Sequence, residues 1–399
     1  MKVKSLKNLK KESLKGKKII VRVDFNVPLD EKLEITNDVR IKRALPTIKF
    51  LLNCKAKVIL MSHLGRPKGQ KVKKLTLDPV AKRLGQLLGK TVKKLSDCIG
   101  PEVEKEILKM QNGDVVLLEN LRFYKEEENN NPIFSRQLAN LAGIYVDDAF
   151  GTAHRAHAST VGVAMILPSY AGFLMEREIE VLSKLLKNPK KPFVVILGGA
   201  KVSGKIEVVQ NLISMADSIL ISGGMSFTFL KAKGYNMGKS ILEEYDLNIV
   251  RKILEKAEEK GTRIFLPRDL VVVKNVSPDA ESKTVKIENI PEGVRGVDIG
   301  EETISLFENE LKKAKTIFWN GPVGIFEIDK FAKGTNQIAH SLADMEGKAV
   351  TIVGGGDSIT ALEKAGLASS ISYLSTGGGA SLKFLGGSKL PGIEVLLEQ

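Results

Sequence analysis

Residues 193–206 read FVVILGGAKVSGKI, an apolar run followed by a turn that is rich in glycine and lysine. Five consecutive large apolar residues are typical of a parallel strand that is buried on both faces. Gly199 to Lys205 also fits the G-x-x-x-x-G-K pattern of a P-loop. However, Ile206 stands where a P-loop has the Ser or Thr that binds Mg²⁺. The stretch therefore predicts a buried strand followed by a phosphate site of another kind.

Similar apolar runs recur along the whole chain. They alternate with longer amphipathic stretches such as residues 78–89 and 247–261, and this alternation is typical of βαβ units that build a parallel sheet. The predicted strands are residues 17–23, 56–62, 114–119, 144–148, 193–198, 218–223, 263–267, 316–321, 349–354 and 371–375. The predicted fold class is therefore α/β with parallel sheets.

The length of the chain indicates more than one domain. A chain of 399 residues is too long for one ordinary core, and about two or three domains are expected. Residues 170–192 have helical spacing and end in a turn rich in proline and lysine. We interpret residues 171–192 as a helix and hinge that connects two α/β domains of similar size, residues 1–170 and 193–380.

The composition argues against several classes of protein. Hydrophobic residues make up 43% and charged residues 27% of a chain without a low-complexity tract, as in a folded globular protein. The only cysteines are Cys54 and Cys98, so neither a disulfide framework nor a four-cysteine zinc site is expected. The basic N-terminus lacks the apolar core of a secretory signal, and no run approaches the roughly 18 apolar residues that span a bilayer. We therefore expect a cytoplasmic protein without a membrane partner.

The net charge of +14 leaves three interpretations open. Scattered lysines most often lie on solvated helix faces, and a basic surface also attracts anionic small molecules. A nucleic-acid-binding protein is the alternative, but no basic run is interleaved with aromatic residues, which make up only 6% of the chain. An NAD-dependent oxidoreductase is a further alternative, which the absence of a G-x-G-x-x-G fingerprint disfavours.

Charged and polar side chains follow the predicted strands of the first half. In open α/β sheets, ligands bind beyond the carboxyl ends of the strands. These positions hold Asp24, Asn26, Arg40, His63, Arg66, Arg122, His154, Arg155 and His157. Several arginines that converge on one crevice predict a site for a small, highly charged anion, because the planar guanidinium binds carboxylate and phosphate bidentately. A metal site on His154 and His157 is disfavoured, since no third type of ligand lies nearby in the sequence.

Glycine clusters follow the predicted strands of the second half. They are GGAK (198–201), GGM (223–225), NGPVG (320–324), GGGDS (354–358) and TGGGAS (376–381). Each cluster is expected to open a helix, whose N-terminal N–H groups favour anions. Five such clusters at strand ends predict a surface for a nucleotide.

Lys201 and Lys205 are the predicted phosphate ligands of this surface. They are four residues apart and would share one face of a helix that begins near Ala200. Two neighbouring ammonium groups repel each other unless an anion lies between them. Because Ile206 cannot bind Mg²⁺, we expect Asp357 to supply the carboxylate for that ion.

Eight motifs in order along essentially the whole chain resemble the phosphoglycerate kinase family. They are RVDFNVP (22–28), SHLGRP (62–67), LLENLRF (117–123), DDAFGTAHRAHAS (147–159), LGGAKVS (197–203), WNGPVGIFE (319–327), GGGDS (354–358) and STGGGASL (375–382). The resemblance implies two Rossmann-like three-layer α/β/α domains on a hinge, with a C-terminal tail, residues 381–399, that returns to the first domain. It also implies reversible, Mg²⁺-dependent phosphoryl transfer from 1,3-bisphosphoglycerate to ADP, which yields 3-phosphoglycerate and ATP in glycolysis and runs in reverse in gluconeogenesis.

The resemblance further implies roles for individual residues. The glycerate substrate would be held by Asp24, Phe25, Asn26, Arg40, His63, Leu64, Gly65, Arg66, Arg122 and Arg155. The nucleotide would be held by Gly199, Lys201, Lys205, Gly224, Gly296, Asn320, Glu327, Gly355, Gly356, Asp357 and Ser358, with Asp357 on Mg²⁺. The catalytic set would be Arg40, Lys201, Gly356 and Gly379.

The implied chemistry requires no general base. Its acceptors, a carboxylate or a nucleotide phosphate, are already ionised at neutral pH, since carboxyl groups titrate near about pH 4. Phosphoryl transfer is mainly positioning and neutralisation of charge, and we expect Arg40 and Lys201 to supply the cations. The enzyme is expected to be a monomer that acts on small molecules and not on nucleic acid. Two departures from the family pattern occur: Val294-Arg295 replaces a common Trp-Met pair, and Gly204 replaces a more usual polar residue.

Overall fold

The strands form three sheets in the structure, a computed structural model that describes residues 1–243 and 247–398. The first sheet has the order β3-β4-β2-β1-β5-β6 and comprises β1 (Lys18–Arg22), β2 (Lys57–Met61), β3 (Lys93–Lys94), β4 (Val115–Leu117), β5 (Ile144–Asp147) and β6 (Ser169–Ala171). The second has the order β15-β14-β13-β7-β8-β9 and comprises β7 (Phe193–Leu197), β8 (Ser218–Ile221), β9 (Arg263–Phe265), β13 (Thr316–Asn320), β14 (Val350–Gly354) and β15 (Tyr373–Ser375). The third, of order β11-β10-β12, comprises β10 (Asp269–Val273), β11 (Ser282–Lys286) and β12 (Arg295–Ile299).

Helices occupy most of the segments between the strands. They are α1 (Lys11–Leu14), α2 (Val39–Asn53), α3 (Asp78–Leu88), α4 (Pro101–Leu108), α5 (Lys125–Glu128), α6 (Pro132–Ala139), α7 (Phe173–Lys187), α8 (Ile206–Leu212), α9 (Gly223–Ala232), α10 (Leu247–Lys260), α11 (Glu301–Leu311), α12 (Lys333–Ala343), α13 (Gly356–Lys364), α14 (Gly379–Leu385) and α15 (Pro391–Glu394).

Successive residues of β1 face opposite layers of helices, which explains the apolar run in the sequence. Ile19 and Val21 belong to a core that includes residues of α2 and α3. Ile20 belongs to a second core, together with residues of α4 and α6. The first sheet is therefore buried on both faces and forms the middle of three layers, as expected for a parallel sheet.

All ten predicted strands are present, and both six-stranded sheets contain only parallel pairs. The α/β fold class is therefore confirmed. Each observed strand is shorter than its prediction by one to three residues, because a sequence pattern fixes the presence of a strand more closely than its ends.

The third sheet is antiparallel and was not predicted. Strand β10 carries a β-branched signal, Val271 to Val273, which could have been recognised. Strand β11 has no comparable signal, since its side chains are half-buried or exposed. The short strands β3 and β6 were also missed, because two or three residues carry too little pattern to recognise.

The backbone divides into two units, each with its own core. The first unit comprises Met1–Ser183 and Lys389–Gln399, and the second comprises Lys184–Ser388. The chain end joins the first unit through backbone hydrogen bonds: the amide of Lys4 donates to Leu396 (2.8 Å) and the amide of Gly392 donates to Ala153 (2.9 Å). The finer domain boundaries given by the sequence stay a prediction.

Helix α7 lies within the stretch that was interpreted as the connection, residues 171–192. No helix in the described ranges is both long enough and apolar enough to cross a membrane. Cys54 and Cys98 are both buried free thiols, as the sequence led us to expect.

Candidate active site

The predicted anion-binding residues follow four neighbouring strands of the first sheet. In spatial order these strands are β4, β2, β1 and β5. Arg122 follows β4, His63 and Arg66 follow β2, Asp24 and Asn26 follow β1, and Arg155 follows β5. The carboxyl ends of parallel strands share one edge of a sheet, so the fold gathers these residues at that edge.

Direct contacts join several of these residues. Asp24 forms an ion pair with Arg40 in the first turn of α2. The Asn26 side-chain oxygen accepts a 2.8 Å hydrogen bond from the amide of Gly65, and the Gly65 carbonyl accepts a 2.9 Å bond from Nη1 of Arg122. Residues that lie far apart in the sequence are therefore held in one connected group.

Phe25 and Leu64 contribute to this group through their backbones. Both side chains are buried in the same core. The Phe25 amide donates to Oγ of Ser62 (2.9 Å), and the Leu64 amide donates to the side-chain oxygen of Asn120 (3.2 Å). These bonds fix the loops after β1 and β2, so the two apolar residues anchor the site.

His63 lies at the centre of the positive charge. Its side chain is buried, with 4% of its surface exposed. Burial, together with the positive charges of Arg22, Arg122, Arg40 and Arg155, holds the pKa of His63 well below its usual range. The imidazole is therefore neutral at physiological pH. The positive charges of all four arginines therefore act on one buried imidazole.

The predicted arginines of this edge differ in burial. Burial lowers the pKa of Arg122 to about 10, which still leaves it protonated at neutral pH. Arg155 is half-buried, and its Nε lies 3.1 Å from Nε2 of His154. Arg66 is exposed on the loop after β2. The first unit thus presents several cations at one sheet edge, as a site for a small polyanion requires.

The second unit contains a cavity of about 320 Å³ at the predicted nucleotide surface. Five of the predicted residues line it: Gly199, Gly224, Gly296, Glu327 and Asp357. Apolar side chains, including Phe227 and Leu270, form much of the remaining wall. A mostly apolar cavity with a few polar groups at its mouth suits a flat aromatic base with a charged tail.

The two predicted lysines differ in their surroundings. Lys201 is exposed. Lys205 is half-buried, and its Nζ donates hydrogen bonds to the carbonyl oxygens of Gly198 (2.6 Å) and Asn320 (2.8 Å). Helix α8 begins only at Ile206, so the prediction of a helix from about Ala200 with both lysines on one face is wrong. The segment from Lys201 to Lys205 instead forms turns.

Asn320 ends β13, and Ser358 lies in the first turn of α13, shortly after β14. Oγ of Ser358 is buried and accepts a 2.7 Å hydrogen bond from the amide of Gly321. Nδ2 of Asn320 is also buried, but it has no hydrogen-bond partner among the described residues. A buried donor without a partner is costly, so Asn320 Nδ2 is an unsatisfied polar group at this strand end.

The prediction that every glycine cluster opens a helix holds for three clusters of five. Helices α9, α13 and α14 begin at Gly223, Gly356 and Gly379, whereas the clusters at 198–201 and 320–324 lead into turns. Gly223 has φ +63° and lies so close to its neighbours that a Cβ atom would stand 2.7 Å from the amide nitrogen of Gly199. Glycine at this position therefore allows two loops to pack backbone against backbone.

Known proteins resemble this chain over nearly all of its length. The family model described as phosphoglycerate kinase matches residues 9–388. A phosphoglycerate kinase of Dictyoglomus turgidum is 57% identical, with 99% of each chain covered. Solved structures of phosphoglycerate kinases from Coxiella burnetii (41% identical, TM-score 0.86, 99% of this chain and 98% of that one) and Pyrococcus horikoshii (34%, 0.85, 98% of each) share the fold.

The chain belongs to the phosphoglycerate kinase family. It is therefore a phosphotransferase, a kinase of glycolysis, and its two parallel sheets are those of the two-domain fold of the family. The alternatives of an NAD-dependent oxidoreductase and of a nucleic-acid-binding protein find no support in these relationships.

A phosphoglycerate kinase is expected to use Mg²⁺, and the carboxylate here that suits this ion is that of Asp357. Asp357 is exposed in the first turn of α13 and lines the cavity. Within residues 1–243 and 247–398 no group of three or more His, Cys, Asp or Glu side chains could hold a metal ion. Mg²⁺ commonly binds one or two carboxylates together with substrate phosphates, so Asp357 suits an ion that arrives with the nucleotide.

Several residues beside the phosphoglycerate kinase site were not singled out from the sequence. Arg22 is fully buried at the end of β1, where its Nη2 lies 3.1 Å from Nδ1 of His63. The signal available in the sequence was a charged residue between two apolar residues of a predicted strand. Asn120 and Phe227 carried no such signal, because their roles depend on contacts with distant segments.

Proposed function

We propose that the phosphoryl transfer of the family takes place between a glycerate substrate on the first unit and a nucleotide on the second. The observation that supports this proposal is that the two units carry different kinds of site. Positive charge is concentrated at the edge of the first sheet around His63, whereas the cavity for a base lies in the second unit. In this proposal the substrates are 3-phosphoglycerate or 1,3-bisphosphoglycerate and ADP or ATP.

The glycerate substrate binds at the carboxyl edge of the first sheet. Arg122, Arg155 and Arg66 hold the anionic groups, because guanidinium groups bind carboxylate and phosphate bidentately. Asp24 and Asn26 accept hydrogen bonds from hydroxyl groups. The contacts from Asn26 to Gly65 and from Gly65 to Arg122 support this arrangement, since they fix the groups before the substrate arrives.

The nucleotide binds in the cavity of the second unit. The base lies beside Gly296 and Phe227, the phosphates approach Lys201, Lys205 and the turn after β7, and the ribose lies near Glu327. The free Nδ2 of Asn320 supports a polar contact here. Gly355, Gly356 and Gly379 add backbone N–H groups at helix starts.

Mg²⁺ bound to Asp357 and to the nucleotide phosphates would neutralise part of the phosphate charge. The chain's own residues supply the remaining charge neutralisation. Lys201 in the second unit and Arg40 in the first meet the transferring phosphoryl group, and no side chain has to remove a proton. The oxygen that attacks belongs to ADP in one direction and to the substrate carboxylate in the other.

The two substrates react only when their reacting atoms come within about 3–3.5 Å. Because the two sites lie on separate units, we propose that the units close on a hinge that includes α7. Closure also excludes water, which would otherwise accept the phosphoryl group. Each substrate alone shifts this equilibrium only in part, since it contacts mainly one unit.

A coupled assay with 3-phosphoglycerate and Mg-ATP tests the reaction, and small-angle scattering tests the closure. The radius of gyration should fall when 3-phosphoglycerate and Mg-ADP are both present, and by less with either alone. An unliganded radius equal to that of the ternary complex would overturn the hinge while leaving the activity assignment intact. Loss of activity after removal of Mg²⁺ by EDTA, and its return with added Mg²⁺, tests the metal.

We further propose that the enzyme is a monomer in the cytoplasm. The two buried free thiols, Cys54 and Cys98, suit a reducing compartment. Multi-angle light scattering should give a mass near the 43.6 kDa of one chain. A mass of twice this value at assay concentration would contradict the monomer.

A further inference from the structure

A chain of buried polar contacts leads from the interior of the first unit to His63. Nη2 of Arg22 lies 3.1 Å from Nδ1 of His63, and Nε of the same guanidinium donates a 2.8 Å hydrogen bond to Oγ of Ser159. Ser159 donates in turn to Glu127, through its Oγ at 2.6 Å and its amide at 3.0 Å. Arg22, Ser159 and Glu127 are completely buried. None of them was assigned a role above.

The direction of these hydrogen bonds follows from the chemistry of arginine. A guanidinium group has N–H donors and no acceptor. Nδ1 of His63 must therefore be the unprotonated nitrogen that accepts the bond from Arg22. In a neutral imidazole the proton then lies on Nε2.

We propose that Arg22 is a positioning residue, held by Ser159 and Glu127, that keeps His63 in the neutral Nε2–H tautomer. His63 then presents one hydrogen-bond donor and no charge to the glycerate substrate. This inference rests on the proposed function, which places His63 in the substrate site. It goes beyond that function by assigning a protonation state and the residues that impose it.

The surrounding charges favour the same state. Besides Arg22, the groups that face His63 are Arg40 on α2, which is paired with Asp24, Arg122 after β4 and Arg155 after β5. A protonated His63 would add a further positive charge and would turn an N–H group toward Arg22. Glu127 does not contact His63 directly: its two carboxyl oxygens accept hydrogen bonds from the amide and Oγ of Ser159, which in turn accepts from Arg22.

The functional consequence concerns pH. A substrate site that included a titrating histidine would lose affinity for an anion as the pH rose through about 6.5. With His63 locked as a neutral donor, its contribution to binding is the same from about pH 5 to about pH 8. The affinity then depends on the arginines, which stay charged throughout this range.

Long-range ¹H–¹⁵N spectra of the unliganded enzyme test the tautomer directly. The chain has four histidines, and the His63→Gln variant assigns the His63 signals. We expect the Nε2–H pattern, unchanged from about pH 5 to about pH 8. An Nδ1–H pattern, or titration within this range, would overturn the proposal.

Variants test the role of the polar chain. Arg22→Met should allow His63 to titrate and to populate both tautomers, and should raise KM for 3-phosphoglycerate about tenfold in a pH-dependent way with little change in kcat. If Arg22→Met does not fold, Ser159→Ala should change the His63 tautomer and the KM in the same direction but by less. Ser159→Thr keeps a hydroxyl group and should keep the wild-type tautomer and KM. Ser135→Ala is the matched control, because Ser135 is another buried serine of this unit, and its Oγ donates to the carbonyl oxygen of Asn131. An equal change of KM in Ser135→Ala would overturn the specific role of the contacts from Arg22 through Ser159 to Glu127.

The spectra also separate this inference from the proposed function. Addition of 3-phosphoglycerate should shift the His63 signals without changing the tautomer. A correct tautomer whose signals do not respond to substrate would contradict the placement of His63 in the substrate site. The lock on the tautomer would then still stand.

Discussion

Nζ of Lys205 lies 2.8 Å from the carbonyl oxygen of Asn320, the last residue of β13. The same ammonium donates to the carbonyl of Gly198, directly after the neighbouring strand β7. Burial lowers the pKa of Lys205 to about 7, although the carboxylate of Asp357 acts to raise it. Lys205 therefore ties two strand ends together and also titrates near neutral pH.

We predict that ADP binding at about pH 8 takes up a proton at Lys205. The folded, unliganded enzyme holds this lysine mostly neutral above its pKa of about 7. A phosphate nearby raises that pKa, because an opposite charge favours the protonated form. Calorimetry in two buffers of different ionisation enthalpy should detect uptake of up to about one proton. Uptake should vanish in Lys205→Met and persist in Lys201→Met; no uptake in the wild type would mean that the phosphates do not approach Lys205.

Lys201 and Lys205 should differ in their effects on stability. Lys201 is exposed, so Lys201→Met should change the unfolding free energy by less than about 0.5 kcal/mol while lowering kcat by about 10³-fold. Lys205→Met should also destabilise the protein by about 1–3 kcal/mol, because two carbonyls lose their donor. Urea denaturation and steady-state kinetics measure both effects. A loss of less than about tenfold in kcat for Lys201→Met would favour Lys205 as the catalytic cation.

Arg122→Ala should raise KM for 3-phosphoglycerate and leave ADP affinity nearly unchanged. Arg122 contacts Gly65 in the first unit, and the cavity for the nucleotide lies in the second. Direct calorimetry with each ligand measures both affinities, and the exposed Arg136→Ala in the same unit is the control. Equal weakening of both ligands would contradict the proposed division of substrates between the units.

Gly296→Ala should raise KM for ADP about tenfold. A Cβ atom at Gly296 would stand 2.6 Å from Cζ of Phe227, so the cavity wall would have to shift. Gly204→Ala is the matched control, because Gly204 has open space around it and no left-handed backbone. Kinetics with ADP as the varied substrate should separate the two variants. A Gly296→Ala enzyme with wild-type KM would place the base elsewhere.

Asp148 should make the folded state less stable as the pH rises. Burial raises its pKa to about 7, compared with 3.8 for an ordinary Asp, so the folded state binds the proton more tightly than the unfolded state. The contribution of Asp148 to stability is therefore fully present below about pH 4 and is lost as the pH rises toward about 7. Its Oδ1 accepts from the amide of Leu174 at the start of α7, while Oδ2 has no hydrogen-bond partner in the described parts of the chain.

The Asp148→Asn variant isolates this effect from other titrations. Asparagine keeps an oxygen acceptor and carries no charge. The wild type should lose stability relative to the variant between pH 4 and pH 7, as measured by urea midpoints at several pH values. A constant difference over this range would mean that Asp148 does not change its protonation. Asp147 is buried beside it with a pKa also raised to about 7, and its charge helps to raise the pKa of Asp148.

The sequence by itself determined the fold class and which site residues follow each strand. Apolar runs such as residues 19–21 are local signals, since both faces of a central parallel strand are buried and most of its side chains are therefore apolar. In a parallel sheet the carboxyl ends share one edge. It was therefore sufficient to recognise the strands and the residues that follow them in order to place Asp24, His63 and Arg122 at one edge. The family motifs led to the same residues.

Only the tertiary structure decided how individual polar groups are paired. The glycine and lysine pattern of residues 199–205 suggested two lysines on one helix face, but the half-buried Lys205 bonds to Asn320, 115 residues away. Arg22 likewise meets Ser159, 137 residues away. A buried polar group needs a partner wherever the packed chain provides one, and such long-range pairing leaves no periodic signal in the sequence. The tautomer proposed for His63 follows from its contact with Arg22, and the lowered pKa of Lys205 follows from its burial.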